Sequence, residues 1–188
     1  MKNWSSFKVI MNIIAIVSTI LTIIFYLISK FNNTGIFVTL AITSLIIAFH
    51  FDIRLIIGNI VSKFKNKINI NNSYYKLKKF EEKIYSEIKV KKWKSKVPTY
   101  EPDEFNTKKN SLEEIIVNMC NSEIIHTINA VISYLPLICI SWFGSPMIFI
   151  VTSIFASIYD LQFVIIQRYN RPRVMRIIER KDQDNLQV

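Results

Sequence analysis

Four long apolar stretches alternate with polar segments along the chain and dominate its pattern. They cover residues 7–29, 36–51, 123–143 and 147–166. A helix of about 20 apolar residues crosses the hydrocarbon core of a bilayer, and the backbone polar groups of such a segment must be satisfied inside it. The pattern therefore predicts an all-α, polytopic membrane protein with about four transmembrane helices.

The spans are predicted to form two hairpins separated by a polar part. Residues 1–61 make an N-terminal membrane hairpin, residues 62–113 a basic segment, and residues 114–188 a second hairpin with an arginine-rich tail. The sequence GSP at residues 144–146 predicts a tight turn between the last two spans, because Gly and Pro favour turns. Beyond Phe51, the sequence IIGNIV is expected to continue along the membrane interface.

The distribution of positive charge predicts the orientation of the spans. Residues 62–111 contain fourteen lysines, and the tail after Ile166 contains five arginines and one lysine, whereas Lys30 is the sole basic residue between the first two spans. Lys and Arg collect on the cytoplasmic side of a membrane. We therefore expect a multi-pass protein of the cell membrane, with both termini and the central segment in the cytoplasm.

The net charge of +10 invites a nucleic-acid hypothesis. The basic residues border the spans, however, and anionic lipid attracts them there. We therefore expect membrane lipids as partners and no nucleic acid. The two cysteines, Cys120 and Cys139, lie in or beside apolar stretches and give neither a disulfide framework nor metal-ligand spacing. No metal and no cofactor is expected.

The basic segment contains apolar residues at helical spacing. Residues 74–98 predict an amphipathic helix with a lysine-rich polar face, which we expect to lie on the inner leaflet between the second and third spans. The sequence SLEE at residues 111–114 matches a capping box and predicts the start of a helix leading into the third span. The apolar face of the amphipathic helix consists of Leu77, Phe80, Ile84 and Ile88.

Glu123 and His126 are the first candidates for chemistry. They stand three residues apart at the start of the third predicted span, and this spacing puts both side chains on one helix face. An ionisable pair near the membrane boundary is a functional candidate. His126 fits a general base that accepts a proton from an attacking hydroxyl, with Glu123 holding the imidazole. The alternative is a hydrogen bond that anchors the helix. Cys120, one turn earlier, is expected to be buried and inert.

Other ionisable residues occur within or beside the second and fourth spans. His50 and Asp52 are two residues apart, so they point to different helix faces, and an interfacial position is favoured over a catalytic pair. Asp160 lies about two turns from the cytoplasmic end of the fourth span, where an acid should face other helices and find a partner. Hydrogen bonding between helices and a substrate-binding role are both consistent with its position.

The fourth span ends in the sequence QRYNRPR, residues 167–173, which uses arginine where the rest of the chain mostly uses lysine. The planar fork of Arg fits phosphate or carboxylate bidentately, which Lys does not. Pro172 is expected to interrupt the helix. The cluster therefore predicts a site for an anionic headgroup, phosphate or carboxylate, although a stop-transfer signal would also explain its charge. The predicted binding residues are Gln167, Arg168, Tyr169, Asn170, Arg171 and Arg173.

Three blocks of sequence carry a resemblance to a known family. They are KVKKWKSKVP at residues 89–98, SEIIH at residues 122–126 and FVIIQRYNRPR at residues 163–173. In their order and approximate separation the chain resembles the glycosyl-4,4'-diaponeurosporenoate acyltransferase family, small bacterial membrane proteins of staphyloxanthin-type carotenoid biosynthesis. The resemblance covers roughly residues 74–176, and the arginine block is its most specific part.

The resemblance implies transfer of a fatty acyl group from an acyl donor to a sugar hydroxyl of a glycosylated carotenoid acid. It places Glu123 and His126 on the family's Glu-x-x-His, and Trp93 and Lys94 on its Trp-Lys pair. We therefore add Trp93, Lys94 and Asp160 to the predicted substrate-binding residues. The sequence departs from the family's pattern at Thr127, Asp160 and Gln162. A related acyltransferase acting on another lipid-linked hydroxyl fits as well.

Two hypotheses of another kind stay open at the level of sequence. One is a non-catalytic membrane module that binds anionic lipid or a partner protein, for which the charge of the arginines would matter and their identity would not. The other is an accessory subunit of a lipid-modifying or export complex, which would co-purify with a stoichiometric partner.

Overall fold

A computed structural model of the protein describes residues 6–32 and 35–186, apart from the side chains at 182, 185 and 186. Outside this range lie residues 1–5 and 187–188, which are the outer ends of the two predicted hairpins. Residues 33–34, in the connection between the first two spans, lie outside it as well. All regular elements within it are helical, with single 3₁₀ turns between some of them. The α-helices are α1 (Ser6–Phe31), α2 (Gly35–Ser62), α3 (Lys79–Glu87), α4 (Val90–Trp93), α5 (Leu112–Ile132), α6 (Ile140–Phe143) and α7 (Pro146–Leu186).

Within the described residues, four helical stretches are long and apolar enough to cross a membrane, which confirms the predicted fold class. Many of their large apolar side chains are exposed on the protein itself; Ile13, Ile16 and Ile23 of α1 have exposed fractions of 53%, 60% and 55%. A surface of this kind requires an apolar surrounding, as lipid provides. The stretches are Ser6–Phe31, Gly35–Ser62, Leu112–Phe143 and Pro146–Lys181.

The helices extend further than the apolar stretches. α2 continues past Phe51 to Ser62 as one helix, because Arg54, which lies inside it, forms an ion pair with Asp160. α5 begins at Leu112, well before the third predicted span. Beyond its end the chain passes through a 3₁₀ segment, Leu135–Cys139, that contains Pro136, a residue with no amide hydrogen for the helical bond pattern.

The long amphipathic helix predicted for residues 74–98 is broken in two. α3 ends at Glu87, and Lys89 adopts a left-handed conformation with φ 53° before α4 begins. Two contacts on either side favour this break: Val90 is fully buried, and Trp93 Nε1 donates a hydrogen bond of 3.1 Å to the carbonyl of Ile88. The predicted apolar stripe survives in shortened form, with Phe80, Ile84 and Ile88 exposed.

The prediction that Pro172 interrupts the last helix is wrong. α7 runs through Pro172 to Leu186. Proline cannot donate to the carbonyl of Arg168, four residues earlier. The side chains of Arg168 and Arg171, in the turn before Pro172, are held by ion pairs and carbonyl hydrogen bonds, which fix that turn in place of the missing backbone bond.

The start of α5 has the predicted capping box. The backbone amide of Glu114 donates to Ser111 Oγ at 3.1 Å, and the amide of Ser111 donates to Glu114 Oε2 at 2.8 Å. Two amides at the helix start, which have no partner within the helix, are thereby satisfied.

Ser111→Ala should lower the free energy of unfolding by about 1 kcal/mol, since the side chain is exposed and its loss removes one capping bond. Thermal unfolding of the purified protein in detergent measures the effect. Ser111→Asp, which keeps an acceptor, should stay close to the wild type. A loss as large for the aspartate as for the alanine variant would contradict the capping role.

The chain divides into two compact units. The first contains Met1–Gly58 and Ile128–Asp160, and the second contains Asn59–Thr127 and Leu161–Val188. The sequence blocks singled out above, including QRYNRPR, fall in the second unit, whereas His50, Arg54 and Asp160 fall in the first.

Candidate functional site

A buried ion-pair network forms the centre of the second unit. Glu123, on α5, is fully buried, and each of its carboxylate oxygens accepts a hydrogen bond from an arginine of α7. Arg168 Nη1 donates to Glu123 Oε1 at 2.6 Å, and Arg171 Nη2 donates to Oε2. The Glu of the predicted Glu-x-x-His therefore forms ion pairs with two arginines of QRYNRPR.

The guanidinium of Arg168 is fully used by the protein. Its Nε and Nη2 donate to the two carboxylate oxygens of Glu81, on α3, at 2.7 and 2.9 Å. Its Nη1 and Nη2 also donate to the backbone carbonyls of Tyr74, at 3.1 Å, and Lys76, at 3.3 Å. With the bond to Glu123, these contacts occupy all five N–H groups that an arginine offers.

Arg171 is similarly enclosed. Its side chain is 1% exposed, its Nη1 donates to the carbonyl of Tyr75 at 2.7 Å, and its guanidinium lies 5.0 Å from the centre of the Tyr75 ring. Arg168 lies in the same way over the ring of Tyr74, at 5.7 Å. The two arginines thus fasten the segment before α3 to α7.

The charges of this network balance. Burial disfavours ionisation of Glu81, but the hydrogen bonds from Arg168 and from the Lys78 amide, with the positive charge of Arg168, outweigh it and lower the pKa of Glu81. Two arginines therefore face two carboxylates. Little positive charge is left for a ligand, and an anion-binding role for Arg168 and Arg171 stays a prediction. The charges balance because Glu81 and Glu123 of the same chain pair with these two arginines.

A groove of about 470 Å³ lies beside this network and has a different character. Its lining combines five basic side chains with one acidic one, and apolar surface from Val90 and Tyr85, both buried, forms part of it. Positive charge next to apolar surface suits a ligand with an anionic group and a hydrocarbon part. The lining residues are Leu77, Glu82, Tyr85, Ser86, Lys89, Val90, Lys91, Lys92, Tyr169, Pro172, Arg173 and Arg176.

The Trp-Lys pair and the second half of QRYNRPR meet near this groove. The guanidinium of Arg173 lies 3.7 Å from the centre of the Tyr169 ring, and Lys94 Nζ lies 5.1 Å from it. Lys94 also donates to Asn170 Oδ1 at 2.5 Å. Burial and the positive charges of Arg173 and Lys91 lower the pKa of Lys94. An anion placed there would relieve the repulsion between these cations.

The remaining predicted residues of this unit lie elsewhere on it. Gln167 Nε2 donates to Ser122 Oγ at 3.3 Å, which joins α7 to α5. The imidazole of His126 stacks on Phe163, with ring centres 4.3 Å apart and planes 10° from parallel. Since arginines hold both oxygens of Glu123, the contacts of Glu123 differ from the predicted support of His126. His126 as a general base stays a prediction.

Asp160 and Cys120 complete the predicted set. Asp160, in the first unit, is fully buried and accepts from Arg54 Nη2 at 2.5 Å, so it has the helix partner that was expected. A ligand-binding role for Asp160 stays a prediction. Cys120 is fully buried, as expected.

Sequence reasoning missed several residues that matter here. Glu81 was counted as part of a solvated amphipathic helix, and Lys91 and Arg176 were not distinguished from other basic residues. Arg54 was not given a role of its own. A signal for Arg54 existed, because the largely apolar sequence LIIGNIV follows it directly and Asp160 stands inside the fourth apolar stretch. Charges in such positions pair with one another.

A family model described as glycosyl-4,4'-diaponeurosporenoate acyltransferase matches residues 71–180. No curated protein and no solved structure matches the chain. The matched range contains the network, the groove and His126.

Proposed function

Because the chain belongs to the glycosyl-4,4'-diaponeurosporenoate acyltransferase family, we propose that it moves a fatty acyl group onto a hydroxyl of a glycosylated carotenoid or similar glycolipid. Family membership supports an acyltransferase of carotenoid biosynthesis in a membrane; the particular acceptor and donor are part of the proposal. The observation that carries it is the basic, partly apolar groove inside the matched range.

The groove is the proposed site for the anionic part of the acyl donor. Arg173, Lys91 and Arg176 would face the negative charge, and Tyr169 with Leu77 would contact the adjoining carbon chain. The phosphate groups of a coenzyme thioester and of a phospholipid share this chemistry. Arg168 and Arg171 would act as positioning residues, which hold the walls of the groove without touching the donor.

His126 is the proposed general base. It would accept the proton of the acceptor hydroxyl while the hydroxyl oxygen attacks the acyl carbonyl, and it would return that proton to the departing thiolate or alkoxide as the tetrahedral intermediate collapses. The new bond is an ester, and the broken bond is the thioester or ester of the donor. Trp93, Lys94, Gln167 and Asn170 are proposed to position the substrates.

The test is acyl transfer by the purified protein reconstituted in vesicles, with a glycosylated carotenoid acid as acceptor. Wild type is supplied with a coenzyme thioester in one reaction and a phospholipid in another. One of the two should yield a product heavier by one fatty acyl group, and that reaction identifies the acyl donor. His126→Ala should reduce kcat by about 10²–10⁴-fold. Wild-type protein that is inactive with both donors would overturn the proposed function. A His126→Ala variant that is as active as wild type would overturn only the role of His126 as general base.

Arg173→Gln should raise the KM for the acyl donor about tenfold, equivalent to about 1.4 kcal/mol of lost binding, and leave kcat within about twofold. Its side chain is exposed and lines the groove, so the charge is lost without disturbing the buried network. Arg180→Gln is the matched control, since Arg180 is also an exposed arginine of α7 but does not line the groove. Equal KM changes in the two variants would contradict a donor site in the groove.

A non-catalytic lipid-binding module is the second candidate, and one observation favours it. Phe80, Ile84 and Ile88 form an exposed apolar stripe in a segment rich in lysine, which is suited to an anionic leaflet. Under that alternative, Arg173→Lys would bind anionic vesicles as tightly as wild type, and reconstituted wild type would form no acylated product.

We further propose the cell membrane as the location, with both termini and the central segment in the cytoplasm. A cysteine introduced at the exposed Lys108, in a Cys139→Ser background, should react with an impermeant thiol reagent only after cells are opened. The buried Cys120 should not contribute. Labelling in intact cells would reverse the predicted orientation.

A further inference from the structure

α3 carries an apolar stripe that the described part of the chain leaves exposed. Phe80, Ile84 and Ile88 have exposed fractions of 59%, 44% and 42%. They stand four residues apart, so they share one face of the helix. A contiguous exposed apolar face marks a contact with a membrane or with another molecule.

The position of α3 on α7 indicates which of these contacts it makes. Glu81 accepts hydrogen bonds of 2.7 and 2.9 Å from Arg168. The ring of Tyr85 meets that of Tyr169 edge-on, with ring centres 6.5 Å apart. The two α7 residues follow the end of the fourth apolar stretch, Ile166, by a helical rise of roughly 3–5 Å. The headgroup layer is about 5–8 Å thick, so these contacts hold α3 at headgroup depth.

The two sides of α3 that flank its contact with α7 differ in character. Successive helix residues are rotated by about 100°. Glu82 and Ser86 each follow a residue of the apolar stripe by two positions, so they point to the opposite side of the helix. Both are exposed, and both line the groove. α3 therefore has an apolar side and, opposite to it, a polar side that borders the groove.

Lysines border the apolar stripe. Lys79 and Lys83 are exposed, and each directly precedes a residue of the stripe. The long side chain of lysine runs along apolar surface and places its ammonium group in water or among headgroups. Anionic lipid attracts such lysines. Headgroup depth, exposed apolar side chains and flanking positive charge together fit a helix that lies on an anionic leaflet.

We propose that α3 docks onto an anionic lipid leaflet through Phe80, Ile84 and Ile88, with Lys79 and Lys83 at the headgroups. Because the groove borders the opposite side of α3, the docked helix leaves the groove open to water. The docking does not rest on the proposed function. One consequence does rest on it: a donor that occupies the groove enters from water, as a coenzyme thioester would, and not from the leaflet.

Nitroxide labels on the two sides of α3 test the docking. Ile84→Cys reports on the stripe and Ser86→Cys on the opposite side, each in the full chain with Cys139→Ser; Cys120 is buried and should not be labelled. The proteins are placed in nanodiscs of phosphatidylcholine and phosphatidylglycerol. Electron paramagnetic resonance measures collisions with oxygen, which concentrates in lipid, and with a water-soluble nickel chelate. The ratio of oxygen to nickel collisions should be several-fold higher at position 84 than at position 86. Equal ratios would overturn the proposal.

Further variants test the apolar and the charged parts separately. Ile88→Cys repeats the measurement on the stripe, so that a folding defect in one variant leaves the test intact. Lys79→Gln with Lys83→Gln should lower the ratio at the stripe to its value in phosphatidylcholine alone. Lys96→Gln with Lys108→Gln is the matched control, because it removes two exposed lysines outside α3, and it should leave the ratio unchanged. Equal falls in the two double variants would contradict the role of the flanking lysines.

Other occupants of the stripe give different results. Spin–spin broadening between labels at position 84, without oxygen contact, would assign the stripe to a second copy of the chain and overturn docking onto lipid. The label ratios do not depend on catalysis, so a protein without acyl transfer activity can still show the docking. Acyl transfer from a phospholipid and not from a coenzyme thioester would overturn the entry of the donor from water.

Discussion

Glu123→Ala should lower the free energy of unfolding of the second unit by about 3–5 kcal/mol, the range for a buried ion pair that loses one partner. The substitution leaves Arg171 without its carboxylate in a position where it is 1% exposed, and it removes one of the two carboxylates of Arg168. Thermal and denaturant unfolding in detergent, together with membrane abundance, would measure the loss.

Two comparisons separate this effect from a general sensitivity of α5. Glu113→Ala removes a carboxylate that is exposed at the start of the same helix, and it should change stability by less than about 1 kcal/mol. Glu123→Gln keeps the shape but not the charge and should remain strongly destabilised. A Glu123→Ala protein as stable as the Glu113→Ala protein would contradict the structural role of the network.

Asp160→Leu should destabilise the first unit by about 3–5 kcal/mol, because it leaves Arg54 buried without its counter-charge. Asp160 is fully buried, and Arg54 reaches the carbonyl of Ala156 as well as the carboxylate. The hydrogen bond to the Ala156 carbonyl cannot replace the negative charge of Asp160. The unfolding temperature in detergent and the yield of protein in membranes are the readouts.

The double variant Arg54→Met with Asp160→Leu tests the pairing itself. Removing both charges should recover most of the stability lost in Asp160→Leu, since two apolar side chains of similar size have no charge to desolvate. Additive losses in the double variant would show that each residue acts independently and that the ion pair is not what holds α2 to α7.

The sequence allowed the four spans and the start of α5 to be predicted, because their signals are local. Apolar length identifies a membrane-crossing helix, and the Ser111–Glu114 box is complete within four residues. The expected burial of Cys120 followed from its apolar neighbours in the same way.

The failures concern residues whose conformation depends on distant partners. Helical spacing alone favoured a continuous helix through Lys89, but the burial of Val90 and the Trp93 bond to Ile88 favour a break there. Pro172 was expected to interrupt a helix that continues to Leu186. The contacts that hold the turn before Pro172 come from segments far along the chain, so no local pattern contains them.

The arginine block shows the same limit at the candidate site. Its residue types predicted a site for an anionic ligand, and in the structure Arg168 and Arg171 pair with Glu81 and Glu123 of their own chain. Arg173, next to the groove, keeps the exposed position that the anion-binding hypothesis needs. Residue type predicted the chemistry of the contacts, and the fold determined which partner each arginine has.

The central claim of this account is acyl transfer to a lipid-linked hydroxyl, and the lipids of cells test it most directly. Cells that express the wild type or His126→Ala are supplied with the glycosylated carotenoid acid, and their lipids are compared by mass spectrometry. The account predicts a species heavier by one fatty acyl group with wild type and not with His126→Ala, at equal membrane abundance. The absence of any acylated species with wild type would contradict it.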